Sequence, residues 1–100
     1  MLKGGESMVA LETIVVRNDT ILDANVGTET VLMSVENGQY YALTATSRAV
    51  WERLKVPVRV RDLCADLASA YQTPLETIEA DTLEFLSYLE AQKMIEVRAA

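Results

Sequence analysis

The side chains that perform most enzymatic chemistry are scarce in this sequence. There is no histidine among the 100 residues, which removes the usual general base, the usual proton shuttle and the most frequent metal ligand. Neither a Cys–His nor a Ser–His nucleophile pair can therefore be built within the chain. Cys64 is the single cysteine, so an intrachain disulfide and a site made of several thiolates are excluded. We expect a protein that is not an enzyme, with no catalytic residue, no metal site and no cofactor.

Carboxylates in the predicted third helix are the remaining candidates for acid–base chemistry. They are Glu76, Glu79, Asp81, Glu84 and Glu90. A solvated helix face explains most of them, because acidic residues are favoured near a helix N-terminus. Asp81 is different, since it borders the apolar stripe between Ile78 and Phe85. We expect it to cap a backbone group or hold an arginine, with direct ligand contact as the alternative.

The charge balance limits the classes of partner. The formal net charge is −6, whereas proteins that bind nucleic acid gain most of their affinity by neutralising phosphates. No apolar run approaches the length of about 18 residues that a membrane span needs, and no secretion signal is visible. We expect neither nucleic acid nor membrane as a partner, and a cytoplasmic location.

Two consecutive tyrosines lie in a predicted strand over Gln39–Leu43. Alternation directs Tyr41 and Leu43 to one face, which we expect to be the core, and Tyr40 to the opposite face. A small sheet leaves edges open, and this strand has neither the charge nor the proline that usually blunts an edge. Such an edge beside a helix suits the addition of a peptide strand. A homodimer edge, or one covered by the N-terminal arm, is the alternative.

The strands that position this edge are predicted from β-branched runs and turn residues. They are 13–17, 28–35 and 39–43, with 20–26 as a further candidate strand. A hairpin at Asn37-Gly38 joins 28–35 to 39–43. Residues 1–12 are expected to be a flexible segment, and residues 13–97 the folded domain.

Three helices are predicted after the strands, so the expected fold class is α+β. The first runs from about Ser47 to Lys55, after Thr44 or Thr46 as a cap. The second has a 3.6-residue stripe from Val60 to Tyr71. The third begins at a capping box of Thr73 and Glu76, with Pro74 at the first helical position. The arrangement resembles a winged helix-turn-helix with a small antiparallel sheet of about three strands, which keeps a DNA-binding regulator open as an alternative function.

Several segments together resemble the PqqD-like family. They are residues 31–44 (VLMSVENGQYYALT), 47–54 (SRAVWERL), 67–71 (LASAY) and 81–89 (DTLEFLSYL). The resemblance covers roughly residues 13 to 97, and among relatives the chain is most similar to the stand-alone proteins that accompany lasso-peptide proteases. It implies a RiPP recognition element, a non-catalytic winged helix-turn-helix that binds the leader of a ribosomally made precursor peptide.

The resemblance also implies where the leader binds and who acts on it. The leader adds as an antiparallel strand to the last sheet strand and lies in a groove against the third helix. The implied peptide-binding residues in this chain are Gln39, Tyr40, Tyr41, Ala42, Leu43, Asp81, Thr82, Phe85 and Tyr88. The implied partners are the precursor leader and a leader protease or other modifying enzyme. A subunit that only stabilises a partner enzyme is a further alternative.

Overall fold

The computed structural model describes residues 9–36, 38–43 and 45–98. Within these ranges the strands are β1 (Ile14–Arg17), β2 (Ile21–Val26), β3 (Glu29–Ser34), β4 (Tyr40–Leu43), β5 (Val58–Arg59) and β6 (Ile95–Arg98). The helices are α1 (Ala45–Glu52), which continues into a 3₁₀ turn at Arg53–Lys55, then α2 (Val60–Tyr71) and α3 (Leu75–Ala91). Asn37 of the predicted hairpin turn, the candidate cap Thr44 and residues 1–8 lie outside the described residues.

The described strands form two antiparallel sheets of three strands each, where the sequence predicted one sheet. One has the order β2-β3-β4 and the other the order β5-β1-β6. β1 does not pair with β2, which follows it in the chain. It pairs with the C-terminal β6 instead, with Val15 opposite Val97. Local periodicity could not reveal this pairing, because its partners are some 80 residues apart in the chain. The α+β class is confirmed.

The N-terminal residues that are described contact the rest of the domain. Val9 and Leu11 pack against the core, and the carbonyl of Leu11 accepts a hydrogen bond from the backbone of Arg61 at 2.8 Å. Glu12 pairs with Arg59 and Arg61, and these hydrogen bonds lower the pKa of its carboxyl group. These contacts connect residues 9–12 to β5 and to the start of α2.

The core lies between the helices and the inner faces of both sheets. Its largest fully buried side chains include Trp51 of α1, Leu32 of β3 and Leu86 of α3. The helical stripes predicted from the sequence are confirmed for α2 and α3 with two differences. Tyr71, at the end of α2, is exposed, and Phe85 is only half-buried beside the α3 stripe.

The predicted capping box of α3 is wrong. The helix begins at Leu75, and Pro74 occupies the N-cap position without a side-chain hydrogen bond. The hydroxyl of Thr73 instead donates to the carbonyl of Tyr71 at 3.2 Å. That carbonyl belongs to the last turn of α2, where carbonyls lack helical partners. The short connection therefore uses Thr73 to complete the helix before it.

A polar joint connects the two sheets to α1. The indole N–H of Trp51 donates to Asp23 of β2 at 2.9 Å, which is the partner that a buried indole requires. Arg17 of β1 donates to the same carboxylate oxygen at 3.0 Å and to the Trp51 carbonyl at 3.0 Å. Its guanidinium lies over the indole ring, 4.5 Å from the ring centroid. The Asp23 carboxylate thus connects β2 to β1 and to α1.

Candidate functional site

β4 is an edge strand, because among the described residues it pairs only with β3. The backbone N–H of Ser34 donates to the carbonyl of Gln39 at 3.0 Å, which sets the phase of the antiparallel ladder. Hydrogen-bonded and non-hydrogen-bonded pairs alternate, so Tyr41 and Leu43 direct their backbone groups towards β3. Tyr40 and Ala42, which stand opposite Met33 and Val31, direct theirs away from it. The free edge therefore presents the N–H and C=O of these two residues.

A cavity lies beside α3, near the point where β4 leads into α1. Its volume is about 220 Å³, and most of its lining surface is apolar. Its lining residues are Thr46, Ser47 and Val50 of α1 with Asp81, Thr82 and Phe85 of α3. Asp81 is exposed, whereas Thr82 is buried, so the carboxylate marks the rim and the threonine the floor. The cavity can hold an apolar side chain with a polar group near its mouth.

An aromatic pair extends the same side of α3 towards β4. The rings of Tyr41 and Tyr88 meet edge to face with centroids 6.3 Å apart, a favoured aromatic geometry. The hydroxyl of Tyr41 lies 2.8 Å from Gln39 Oε1 and 3.2 Å from Gln92 Oε1. These contacts hold β4 against the C-terminal half of α3. We call the cavity together with this aromatic pair the groove. β4 and α1 form one wall of the groove, and α3 forms the other.

The structure brings the sequence-predicted site residues into two adjoining sets. Gln39 to Leu43 form the edge, with Tyr40 at 70% exposure and Leu43 turned into the core. Asp81, Thr82, Phe85 and Tyr88 follow one side of α3, consistent with their spacing. Thr46, Ser47 and Val50 were not predicted from the sequence, where α1 was expected only to pack against the core. The sequence feature that could have identified them as site residues is their position directly after β4. That all these residues contact peptide stays a prediction.

Thr82 carries a buried hydroxyl without a hydrogen-bond partner among the described residues. Its neighbour Cys64 is a weak donor and acceptor. Burial raises the pKa of the Cys64 thiol. A raised pKa and complete burial are the properties of an inert structural cysteine.

Replacing Thr82 by valine is expected to raise the free energy of unfolding by about 1 kcal/mol, because an unpaired buried hydroxyl costs about that much to desolvate. Valine retains the shape of threonine. Urea denaturation of the two proteins measures the difference. Destabilisation by Thr82→Val would contradict the prediction and would show that the hydroxyl has a partner in the folded state.

A second cavity is lined by two arginines and is polar. Its volume is about 410 Å³, and it is lined by residues of α1 with Thr28, Arg53 and Tyr71. Arg48 donates to the Thr28 carbonyl at 3.1 Å, and Arg53 pairs with Asp66. Both cations are already engaged by the protein, which makes this cavity a weaker candidate than the groove.

Among the described residues, no three side chains of histidine, cysteine, aspartate or glutamate are grouped so that they could hold a metal ion. Over the same part of the chain, no helix combines the length and apolarity needed to cross a membrane.

Comparisons with known proteins give a family match and a similar solved structure. The family described as Coenzyme PQQ synthesis protein D (PqqD) matches residues 29–95, which include β3, β4, the cavity and all of α3. A solved structure described as TbiB1 in complex with the TbiA(beta) leader peptide is similar to this chain, with a TM-score of 0.72 and 27% sequence identity. The similarity covers 85% of this chain and 99% of that chain. No curated protein matches.

Proposed function

Because the chain belongs to the PqqD family, we propose that it binds the leader segment of a ribosomally synthesised precursor peptide and presents it to a separate enzyme. The single observation that carries this proposal is the free edge of β4 beside the groove along α3. Backbone groups at such an edge supply affinity, and the neighbouring groove supplies selectivity through side chains. The similar protein TbiB1 was solved with a leader peptide, which supports the same function here.

The proposed binding mode follows from the phase of the ladder. A leader strand pairs with the N–H and C=O of Tyr40 and Ala42, which point away from β3. Alternate leader side chains then face α3, where Phe85 and Tyr88 contact them above the cavity. An apolar side chain of the leader enters the cavity next to Thr82. The bound peptide completes the edge of the sheet and needs no residue of this chain to perform chemistry.

We propose that the protein itself is not an enzyme and acts by tethering. A leader held at this edge keeps the rest of the precursor at high local concentration near an enzyme that binds the same complex, so a modest affinity suffices. The resemblance of residues 31–44 and 47–54 to proteins that accompany lasso-peptide proteases favours lasso-peptide biosynthesis in the cytoplasm. Neither the family match nor the similar structure supports the DNA-binding alternative, and the net charge of −6 opposes it.

The test is a titration of the purified protein with the leader peptide of the precursor encoded beside it. We expect saturable binding, with the backbone amide signals of Tyr40 and Ala42 among those that move most in a nitrogen–proton NMR spectrum. A scrambled leader of the same composition is the control. Equal affinity for the scrambled peptide, or no binding to any precursor encoded nearby, would refute the proposal.

Phe85→Ala is expected to weaken leader binding by roughly fivefold to tenfold, because the groove loses the largest apolar side chain lining the cavity. Leu83→Ala is the matched control. Leu83 is also partly buried on α3, but two residues turn a helix by about 200°, so it lies on another side. Isothermal titration of both folded variants measures the difference. A comparable loss of affinity in both would assign the effect to altered helix packing.

A further inference from the structure

The β5-β1-β6 sheet ends in an edge strand, β6, because among the described residues β6 pairs only with β1. The backbone N–H of Asn18 donates to the carbonyl of Met94 at 2.9 Å, which sets the phase of this ladder. Hydrogen-bonded and non-hydrogen-bonded pairs alternate, so Ile95 and Val97 direct their N–H and C=O groups away from β1. These groups form a free edge that is separate from the β4 edge.

The side chains of β6 divide between the two faces of the sheet. Ile95 is buried and Val97 is partly buried against the core. Glu96 and Arg98 face outwards, each with 52% of its side chain exposed, and they form an ion pair within the strand at 3.5 Å. Charges of one sign at an edge would repel a second copy of the same strand. Two charges of opposite sign instead allow attraction between copies in a suitable register.

The backbone phase and the charges together select one register for two copies of β6. Antiparallel pairing across a two-fold axis places one residue opposite itself. With Val97 on the axis, its outward N–H and C=O bond reciprocally to Val97 of the second copy. Glu96 then lies directly opposite Arg98 of the second copy, in a non-hydrogen-bonded pair where side chains are close. With Glu96 on the axis, two carboxylates would face each other. With Ile95 there, neither charge would meet its opposite.

We propose that two copies of this chain associate through their β6 edges, with Val97 on the two-fold axis. The partner is a second copy because the strand complements itself in both hydrogen bonding and charge. Two ion pairs between Glu96 and Arg98 flank the axis, and the two sheets join into one continuous sheet. β6 has only four residues, and the net charge of −6 opposes association. The dimer is therefore weak and forms at high protein concentration.

Pairing through β6 leaves the other sheet edge available. β4 belongs to the β2-β3-β4 sheet, so its backbone groups stay unpaired when the β6 edges meet. The dimer then presents two leader-binding edges, one on each copy, a consequence that rests on the proposed function. The dimer itself does not depend on that function.

Exchanging the charges of Glu96 and Arg98 tests the register. Analytical ultracentrifugation of the full-length protein, at concentrations up to the millimolar range, measures the dissociation constant of the dimer. We expect Glu96→Arg to weaken the dimer by about fivefold or more, because two attractive pairs become repulsive. Adding Arg98→Glu to this variant restores attraction and is expected to return the constant to within about threefold of the wild type.

Glu76→Arg is the matched control for the change of charge. Glu76 is exposed and lies in the first turn of α3, at the opposite end of that helix from β6. The substitution changes the net charge by the same amount as Glu96→Arg, and we expect it not to weaken the dimer. Circular dichroism confirms that each variant is folded.

Val97→Pro tests the backbone part of the interface. Proline removes the N–H that points away from β1, a change that an edge strand accepts. We expect the dimer to weaken by about tenfold or more, because both reciprocal hydrogen bonds are lost. Leader affinity is expected to stay within about twofold, since the β4 edge is unchanged.

Several results would overturn the inference. A wild-type protein that stays monomeric over the whole concentration range has no such interface. A dimer that Glu96→Arg and Val97→Pro leave intact forms through another surface, and a charge exchange that does not restore association contradicts the register. Movement of the Ile95 and Val97 amide signals when leader peptide is added to the monomer would assign this edge to the peptide. Because the dimer is measured without leader, failure of leader binding refutes the proposed function and not the dimer.

Discussion

Replacing Ala42 by proline is expected to weaken leader binding by at least about tenfold. The backbone N–H of Ala42 points away from β3, because Ala42 and Val31 form a non-hydrogen-bonded pair. Proline removes this donor and leaves a leader carbonyl without its partner in the interface. An unmade hydrogen bond of this kind costs about 1–3 kcal/mol, which corresponds to a loss of roughly fivefold or more in affinity, and the proline ring adds a steric cost at the edge.

The fold is expected to survive Ala42→Pro, since edge strands accept proline where the N–H faces outwards. Ala42→Val is the control, because it keeps the N–H and suits a strand, and its affinity is expected to stay within about twofold. Fluorescence polarisation with a labelled leader measures binding, and thermal denaturation reports on the fold. Unchanged affinity in a folded Ala42→Pro protein would remove this N–H from the binding interface.

The second large effect is on stability: Asp23→Ala is expected to lower the free energy of unfolding by about 3 kcal/mol. Trp51 is fully buried, and its indole N–H would lose its acceptor. A hydrogen bond to a charged group contributes about 1.5–3 kcal/mol, and an orphaned donor adds its desolvation cost. Burial lowers the pKa of the Arg17 guanidinium and Asp23 counteracts it, so the substitution also leaves this cation without its carboxylate. The melting temperature is expected to fall by roughly 15 °C.

Two further variants test whether the loss of stability comes from the hydrogen bonds of Asp23 or only from the removal of a charged residue. Asp23→Asn keeps an oxygen acceptor for Trp51 and is expected to cost less than Asp23→Ala. Asp66→Ala removes an exposed ion pair with Arg53, in which the aspartate side chain is 62% exposed, and is expected to cost under about 1 kcal/mol. Urea denaturation compares the three proteins. Equal losses in Asp23→Ala and Asp66→Ala would mean that the joint around Trp51 contributes no more than a surface pair.

The proposed binding site divides into a part predicted from sequence and a part that depends on the fold. Alternation in residues 39–43 was sufficient to expose Tyr40 and bury Leu43, and both placements are confirmed. Helical spacing was sufficient to put Asp81 and Phe85 on one side of α3, and the family resemblance added Tyr88. The opposite wall consists of Thr46, Ser47 and Val50. Its position directly after β4 indicates that it lies near the edge, but its local pattern does not indicate that it faces α3.

The ends of the helices show a second limit of prediction from sequence. The residues around Thr73 match a capping box, but the hydroxyl is used by the last turn of α2. At the end of α3, Lys93 adopts a positive φ of 61°, and the Met94 N–H donates to the Leu89 carbonyl at 2.9 Å. A short-range hydrogen bond has several local solutions of similar free energy, and packing selects among them.

The sequence by itself determined the α+β class, most strand and helix positions and the absence of histidine chemistry, because these depend on composition and on periods of 2 and 3.6 residues. The family resemblance came separately, from motifs such as residues 31–44 and 47–54. Only the tertiary structure decided that the strands divide into two sheets, that Asp23 joins them to Trp51, and that α1 and α3 enclose the cavity beside β4. Each of these depends on pairing between distant residues. Such pairing is selected by the total burial and hydrogen bonding of the folded chain, which no local window contains.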